Sequence, residues 1–120
     1  MTTVLVVDDS VSLRSMVTFT LKKQGYEVVE ATDGEDALCK AQNAVCDLVL
    51  TDVNMPHMDG ITLCTELRKL AAFKFTPILM LTTENSQEMK QKGRAAGATG
   101  WLVKPFNPDT LLTTLKRVVR

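Results

Sequence analysis

The stretch "CDLVLTDVNMP", residues 46–56, sets three apolar residues, Leu48 to Leu50, two positions ahead of a carboxylate, Asp52. Such a run suits a short strand covered on both faces. An ionised side chain at the mouth of a packed sheet is costly unless other groups compensate it. Fold and function both turn on what that compensation is.

Working outward, four further segments share this character: Val4 to Val7, Tyr26 to Val29, Ile78 to Leu81 and Trp101 to Val103. Between them run helical patterns. Leu13, Met16, Val17, Thr20 and Leu21 fall at helix spacing, and Gly25 follows as a stop. Ala37, Leu38, Ala41, Ala44 and Val45 repeat the pattern. Asp59 is placed to cap a helix carrying Ile61, Leu63, Leu67 and Leu70. Asn107 and Pro108 announce a last helix with the stripe Leu111, Leu112, Leu115, Val118 and Val119. The segment from Ser86 to Ala96 offers little beyond Met89 and Ala96 to bury, and Gly93 within it costs ~1 kcal/mol relative to alanine. A poorly anchored fourth helix is expected. Five strands alternating with five helices make a (βα)5 chain, an α/β class with a mostly parallel sheet and helices on both faces.

The 120 residues, 45% hydrophobic, suit one domain over 1–120 with nothing left for an effector domain. Fourteen basic residues balance fourteen acidic ones, which argues against bulk capture of nucleic acid or an anionic membrane. No apolar run approaches the ~20 residues of a membrane span. The start, "MTTVLVVDD", lacks the basic region of a signal peptide. Cys39, Cys46 and Cys64 form no close metal-ligand pair, and His57 is the lone histidine. A cytoplasmic location with reduced thiols is expected.

In an open α/β sheet, ligands bind outside the carboxyl ends of the strands. Asp8, Asp9 and Ser10 follow the first strand, Asp52 the third, Thr82, Thr83 and Glu84 the fourth, and Lys104 and Pro105 the fifth. Taken singly, each is a helix cap, a turn residue or a surface lysine. Together they bring polar groups from four strands to one edge. Three carboxylates at one point repel strongly, and a hard divalent cation with oxygen ligands relieves this. Three carboxylates, one ammonium and Mg2+ sum to zero charge. Such a site can hold a phosphoryl group while one carboxylate attacks phosphorus. Asp52 is then compensated by Mg2+ and Lys104, and is the phosphoacceptor.

The motifs "VLVVDDS", "LVLTDVNMPHMDG", "ILMLTTE" and "VKPF", in this order over Val4 to Val119, resemble the receiver domain of two-component response regulators, and within it the single-domain chemotaxis regulators. The resemblance implies a flavodoxin-like three-layer sandwich with strand order 2-1-3-4-5. It implies phosphotransfer from a histidine kinase to Asp52, with Mg2+ bound by Asp8, Asp9, Asp52 and the backbone carbonyl of Asn54. Thr82 and Lys104 would contact the phosphoryl group, with a cis peptide between Lys104 and Pro105. Thr82 and Trp101 would form the switch, remodelling the helix 4, strand 5 and helix 5 face. Trp101 stands where tyrosine or phenylalanine is usual. Asn54 and Glu84 would govern dephosphorylation, and Thr83 departs from a common alanine. Implied partners are the kinase, a target protein such as the flagellar motor switch, and a phosphatase; the state is monomeric. A phosphate sink or a regulator of another phosphorelay is the alternative output.

Two other classes fit less well. A haloacid dehalogenase-type phosphatase needs a second aspartate two residues after its nucleophile, where Asn54 stands. An FMN carrier needs a phosphate loop after the first strand, where "DDSVS" places negative charge. The chain is therefore not expected to be an enzyme beyond its own phosphorylation and dephosphorylation.

Overall fold

The computed structural model describes residues 2–55, 57–83, 87–104 and 106–118. Glu84, Pro105 and Val119, and with them the expected dephosphorylation residue and the expected cis peptide, lie outside the described residues. Five strands form one parallel sheet: β1 (Thr3–Val7), β2 (Glu27–Ala31), β3 (Leu48–Asp52), β4 (Ile78–Thr82) and β5 (Gly100–Val103). Their order is β2-β1-β3-β4-β5. The helices are α1 (Val11–Lys23), α2 (Gly34–Ala41), α3 (Gly60–Arg68), α4 (Gln87–Ala96) and α5 (Pro108–Val118). The alternation of segments predicts this (βα)5 arrangement, and the strand order is the flavodoxin-like one that the resemblance implies.

The apolar runs supply two cores because successive strand residues face opposite ways. Val4, Val6, Leu48, Leu50, Leu79 and Leu81 pack against Val17 and Leu21 of α1 and Leu111 and Leu115 of α5. Leu5, Val7, Val49, Ile78 and Met80 face Ala37 of α2 and Leu63, Cys64 and Leu67 of α3. Met80 is fully buried in this second core, and Met58 is half-buried against it.

Local chemistry sets the helix ends. Ser10, Asp33 and Asp59 accept hydrogen bonds from the amides of Leu13, Asp36 and Thr62. Asn107 accepts from the Thr110 amide at 2.7 Å. After α1, the Gly25 amide donates to Lys22 O and the Tyr26 amide to Leu21 O, closing the helix with Gly25 at φ 91°. The expected stripe on α2 is shorter than its periodicity suggests. The helix ends at Ala41, so Val45 lies 79% exposed and Cys46 is buried in its place.

The fourth helix also differs from expectation. Its C-terminal end is well held, by donors from α3 as well as by the packing of Ala96 on the core. Arg68 donates through Nη2 and Nε to Gly97 O at 2.7 and 3.2 Å. Its Nη1 reaches Phe73 O at 2.7 Å and Thr76 O at 2.6 Å. The Cys64 thiol donates to Ala96 O. Gly93 has a packing purpose as well: a Cβ there would lie 2.4 Å from Cζ2 of Trp101. The indole rests directly on the helix backbone.

Candidate functional site

The order of the strands reverses direction between β1 and β3, which creates a crevice at their carboxyl ends. Val7 pairs with Thr51, so the residues that follow, Asp8 and Asp52, sit side by side at that rim. Sequence reading placed Asp52 beyond the third strand. It is instead the last residue of β3, as Thr82 is of β4. The ladder extends past the apolar run because Asp52 pairs with Leu81 of β4.

Asp8, Asp9 and Asp52 converge: one carboxylate oxygen from each lies within 4.8 Å of the others. Asp8 and Asp52 are buried, and Asp9 is exposed. Lys104 follows β5 and is held at the rim by its amide, which donates to Thr82 O at 2.8 Å. Its Nζ lies 3.2 Å from Asp52 Oδ1 and 3.5 Å from Asp8 Oδ2. Thr82 is buried at the end of β4, and Thr83 beside it is exposed. Asn54 is exposed two residues past β3, in a loop where His57 adopts φ 69°. Gly60 closes the floor, since a Cβ there would stand 2.2 Å from Asp52 O. Trp101 is half-buried against the core under α4, on the neighbouring side of β5.

Asp52 is more basic than an ordinary carboxyl group. Burial raises its pKa most, Lys104 opposes that rise, and the charges of Asp8 and Asp9 add to it. The single lysine therefore compensates only part of the cost posed by the buried acid. Asp8 Oδ2 is buried and makes no hydrogen bond, although it lies within ion-pair range of Lys104. A buried oxygen without a hydrogen bond, in a cluster of three carboxylates, suits a hard divalent cation such as Mg2+. The residues present thus fit the ion that the sequence implied.

Two contributors escape sequence reading. Arg14 of α1 donates from Nη1 to Asp8 O at 2.7 Å and from Nε to Glu30 Oε1 at 3.1 Å. An arginine on an amphipathic helix ordinarily faces water, and nothing in its spacing distinguishes this one. Gly60 enters the sequence reading only as the last residue of the motif "LVLTDVNMPHMDG".

Residues 4–116 match the family described as the response regulator receiver domain. The chemotaxis protein CheY4 of Vibrio cholerae is 60% identical, with a TM-score of 0.97 and 99% of each chain covered. Protein PilG of Pseudomonas aeruginosa is 38% identical over 113 residues, 94% of this chain and 84% of PilG. The receiver domain of the sensor histidine kinase PA1611 of Pseudomonas aeruginosa has a magnesium ion coordinated in its active site cleft. It is 28% identical, with a TM-score of 0.89 over 98% of this chain and 96% of that one. The chain spans about half the length, 48%, of several curated transcriptional regulators that it also matches.

Proposed function

The chain belongs to the response regulator receiver domain family, and from that premise we propose that it accepts a phosphoryl group on Asp52 from a histidine kinase. Support comes above all from one observation: the buried Asp52 carboxylate shares a rim with Asp8, Asp9 and the Lys104 ammonium. Asp8, Asp9, Asp52 and the Asn54 carbonyl would hold Mg2+, which when bound neutralises phosphoryl oxygens. An ion in the cleft of the PA1611 receiver agrees with this.

The chain's own residues carry the transfer. An Asp52 carboxylate oxygen attacks phosphorus as the N–P bond of the donor phosphohistidine breaks, and the bonding pair returns to the imidazole nitrogen. Lys104, already 3.2 Å from Asp52 Oδ1, pairs with the incoming phosphoryl oxygens, and the Thr82 hydroxyl donates to one of them. Hydrolysis of the acyl phosphate returns Asp52 to its carboxylate, at a rate tuned by Asn54 and Glu84. The chain turns over no other substrate, so p-nitrophenyl phosphate is not hydrolysed.

Output runs through the face of α4, β5 and α5, where Thr82 and Trp101 report the state of Asp52 to a target protein. The likeness to CheY4 favours a chemotaxis output, with the flagellar motor switch as target. A phosphate sink or another phosphorelay is the alternative. A cytoplasmic, monomeric protein follows from this role; no helix among the described residues is long and apolar enough to cross a membrane.

The test is intact mass after incubation with acetyl phosphate. One phosphoryl group should be added with Mg2+, none without it, and none in Asp52→Asn. Addition to Asp52→Asn would reject the assignment.

A further inference from the structure

A parallel sheet leaves carbonyls without partners wherever a neighbouring strand turns away. Asp8 stands at such a place. Its amide donates to Ala31 O, on the last residue of β2, at 3.2 Å. The Glu27 amide donates to Thr2 O, and this alternation would bring the Asp33 amide to the Asp8 carbonyl, but β2 ends at Ala31 and Asp33 caps α2. The Asp8 carbonyl takes its donor from α1 instead: Arg14 Nη1 at 2.7 Å. The same guanidinium is steadied by Glu30 of β2, at 3.1 Å from Nε. The Arg14 side chain is 14% exposed, so its charge is engaged within the protein rather than spent in water.

This contact acts on the acidic cluster. The Asp8 carbonyl belongs to the peptide that links Asp8 to Asp9, and the plane of that peptide sets the direction in which both side chains leave. Asp8 is pinned further by the Ser10 amide, which donates to Oδ1 at 2.8 Å. Its amide, carbonyl and one carboxylate oxygen are thus all held, and Oδ2 is left, buried and without a hydrogen bond, 3.5 Å from Lys104 Nζ, on a residue clustered with Asp9 and Asp52. We propose that Arg14, oriented by Glu30, is a positioning residue that sets the Asp8–Asp9 peptide so that Asp8 Oδ2 and the Asp9 carboxylate meet Asp52 around one divalent cation. The inference rests on the reading of this cluster as a Mg2+ site. A guanidinium suits the task because its rigid plane carries separate donors for a carbonyl and a carboxylate; an ammonium offers one point of charge. Groups that orient metal ligands without touching the metal typically alter affinity ~10–100-fold.

Calorimetric titration of the folded chain with MgCl2, with no phosphodonor present, tests this. Arg14→Met should weaken Mg2+ binding about 10-fold or more, Arg14→Lys should recover only part of the loss, and Glu30→Gln should lose a smaller factor. In an Asp9→Asn background the Arg14→Met factor should shrink, because one of the two ligands it aims is gone. A purely structural Arg14 would lower Tm and leave the affinity of the folded chain alone. Wild-type affinity in Arg14→Met overturns the proposal while the Mg2+ site stands. If Arg14→Met does not fold, wild-type affinity in both Arg14→Lys and Glu30→Gln overturns it equally. Failure of the unaltered chain to bind Mg2+ rejects the metal reading itself, and this proposal with it.

Discussion

Gly93→Ala sets two known quantities against each other. Alanine in a helix interior is favoured over glycine by ~1 kcal/mol, so at an open position the substitution would stabilise α4. At this one the new Cβ would lie 2.4 Å from Cζ2 of Trp101, 3.1 Å from Cη2 and 3.3 Å from Cε2. Ordinary contact between carbons begins near ~3.5 Å, so ring and helix must part by about 1 Å. Overpacking of this kind costs ~1–3 kcal/mol. The expected balance is net destabilisation by up to ~2 kcal/mol, which lowers Tm by several degrees in a domain of this size. Trp101 is the only tryptophan in the chain, so its emission reports the ring directly and should shift to the red as water gains access. Paired with Trp101→Phe, the same Gly93→Ala change should turn stabilising by ~1 kcal/mol, because a phenyl ring does not extend to the clashing benzo lobe of the indole. A Gly93→Ala protein that melts higher with an unaltered emission spectrum would refute the close-packed seat.

Three further outcomes are expected. The raised pKa of Asp52 means that the native state holds this proton more tightly than the unfolded chain, so the group's contribution falls as pH rises through the carboxylate range. Asp52→Asn should therefore melt higher than the unaltered chain at pH 7 without Mg2+, and the gap should close in acid below the ordinary aspartate pKa. Adding Mg2+ at one hundred times its dissociation constant should return ~2.7 kcal/mol to the unaltered chain and much less to the variant. Arg68→Lys should cost about 2 kcal/mol or more, since one ammonium cannot serve the carbonyls of Phe73, Thr76 and Gly97 together; hydrogen exchange should then quicken at the end of α4. Burial raises the pKa of the Cys46 and Cys64 thiols, so a thiol reagent should modify exposed Cys39 alone until the protein unfolds.

Much of this protein can be read from residue order. Val4 to Val7, Leu48 to Leu50 and Ile78 to Leu81 are apolar without alternation because both faces of the sheet are covered, and that local signal suffices for a parallel α/β fold. Asp8, Asp9, Asp52 and Lys104 could be assigned to one rim because strand ends in such a fold converge by topology, whatever the side chains do. What the tertiary structure alone decided are contacts between a side chain and the backbone of a neighbouring element. Arg14 on the Asp8 carbonyl, Arg68 on Gly97 and the indole of Trp101 on Gly93 join one element to another across the layers, the first and last between segments close in the chain. Hydropathy records how much a residue prefers water; it does not record which carbonyl a departing strand has left without a donor, nor where a helix backbone must come within a ring's thickness of its neighbour. Those facts exist only once the layers are stacked, and they determine how the acidic rim is aimed and how α4 is held.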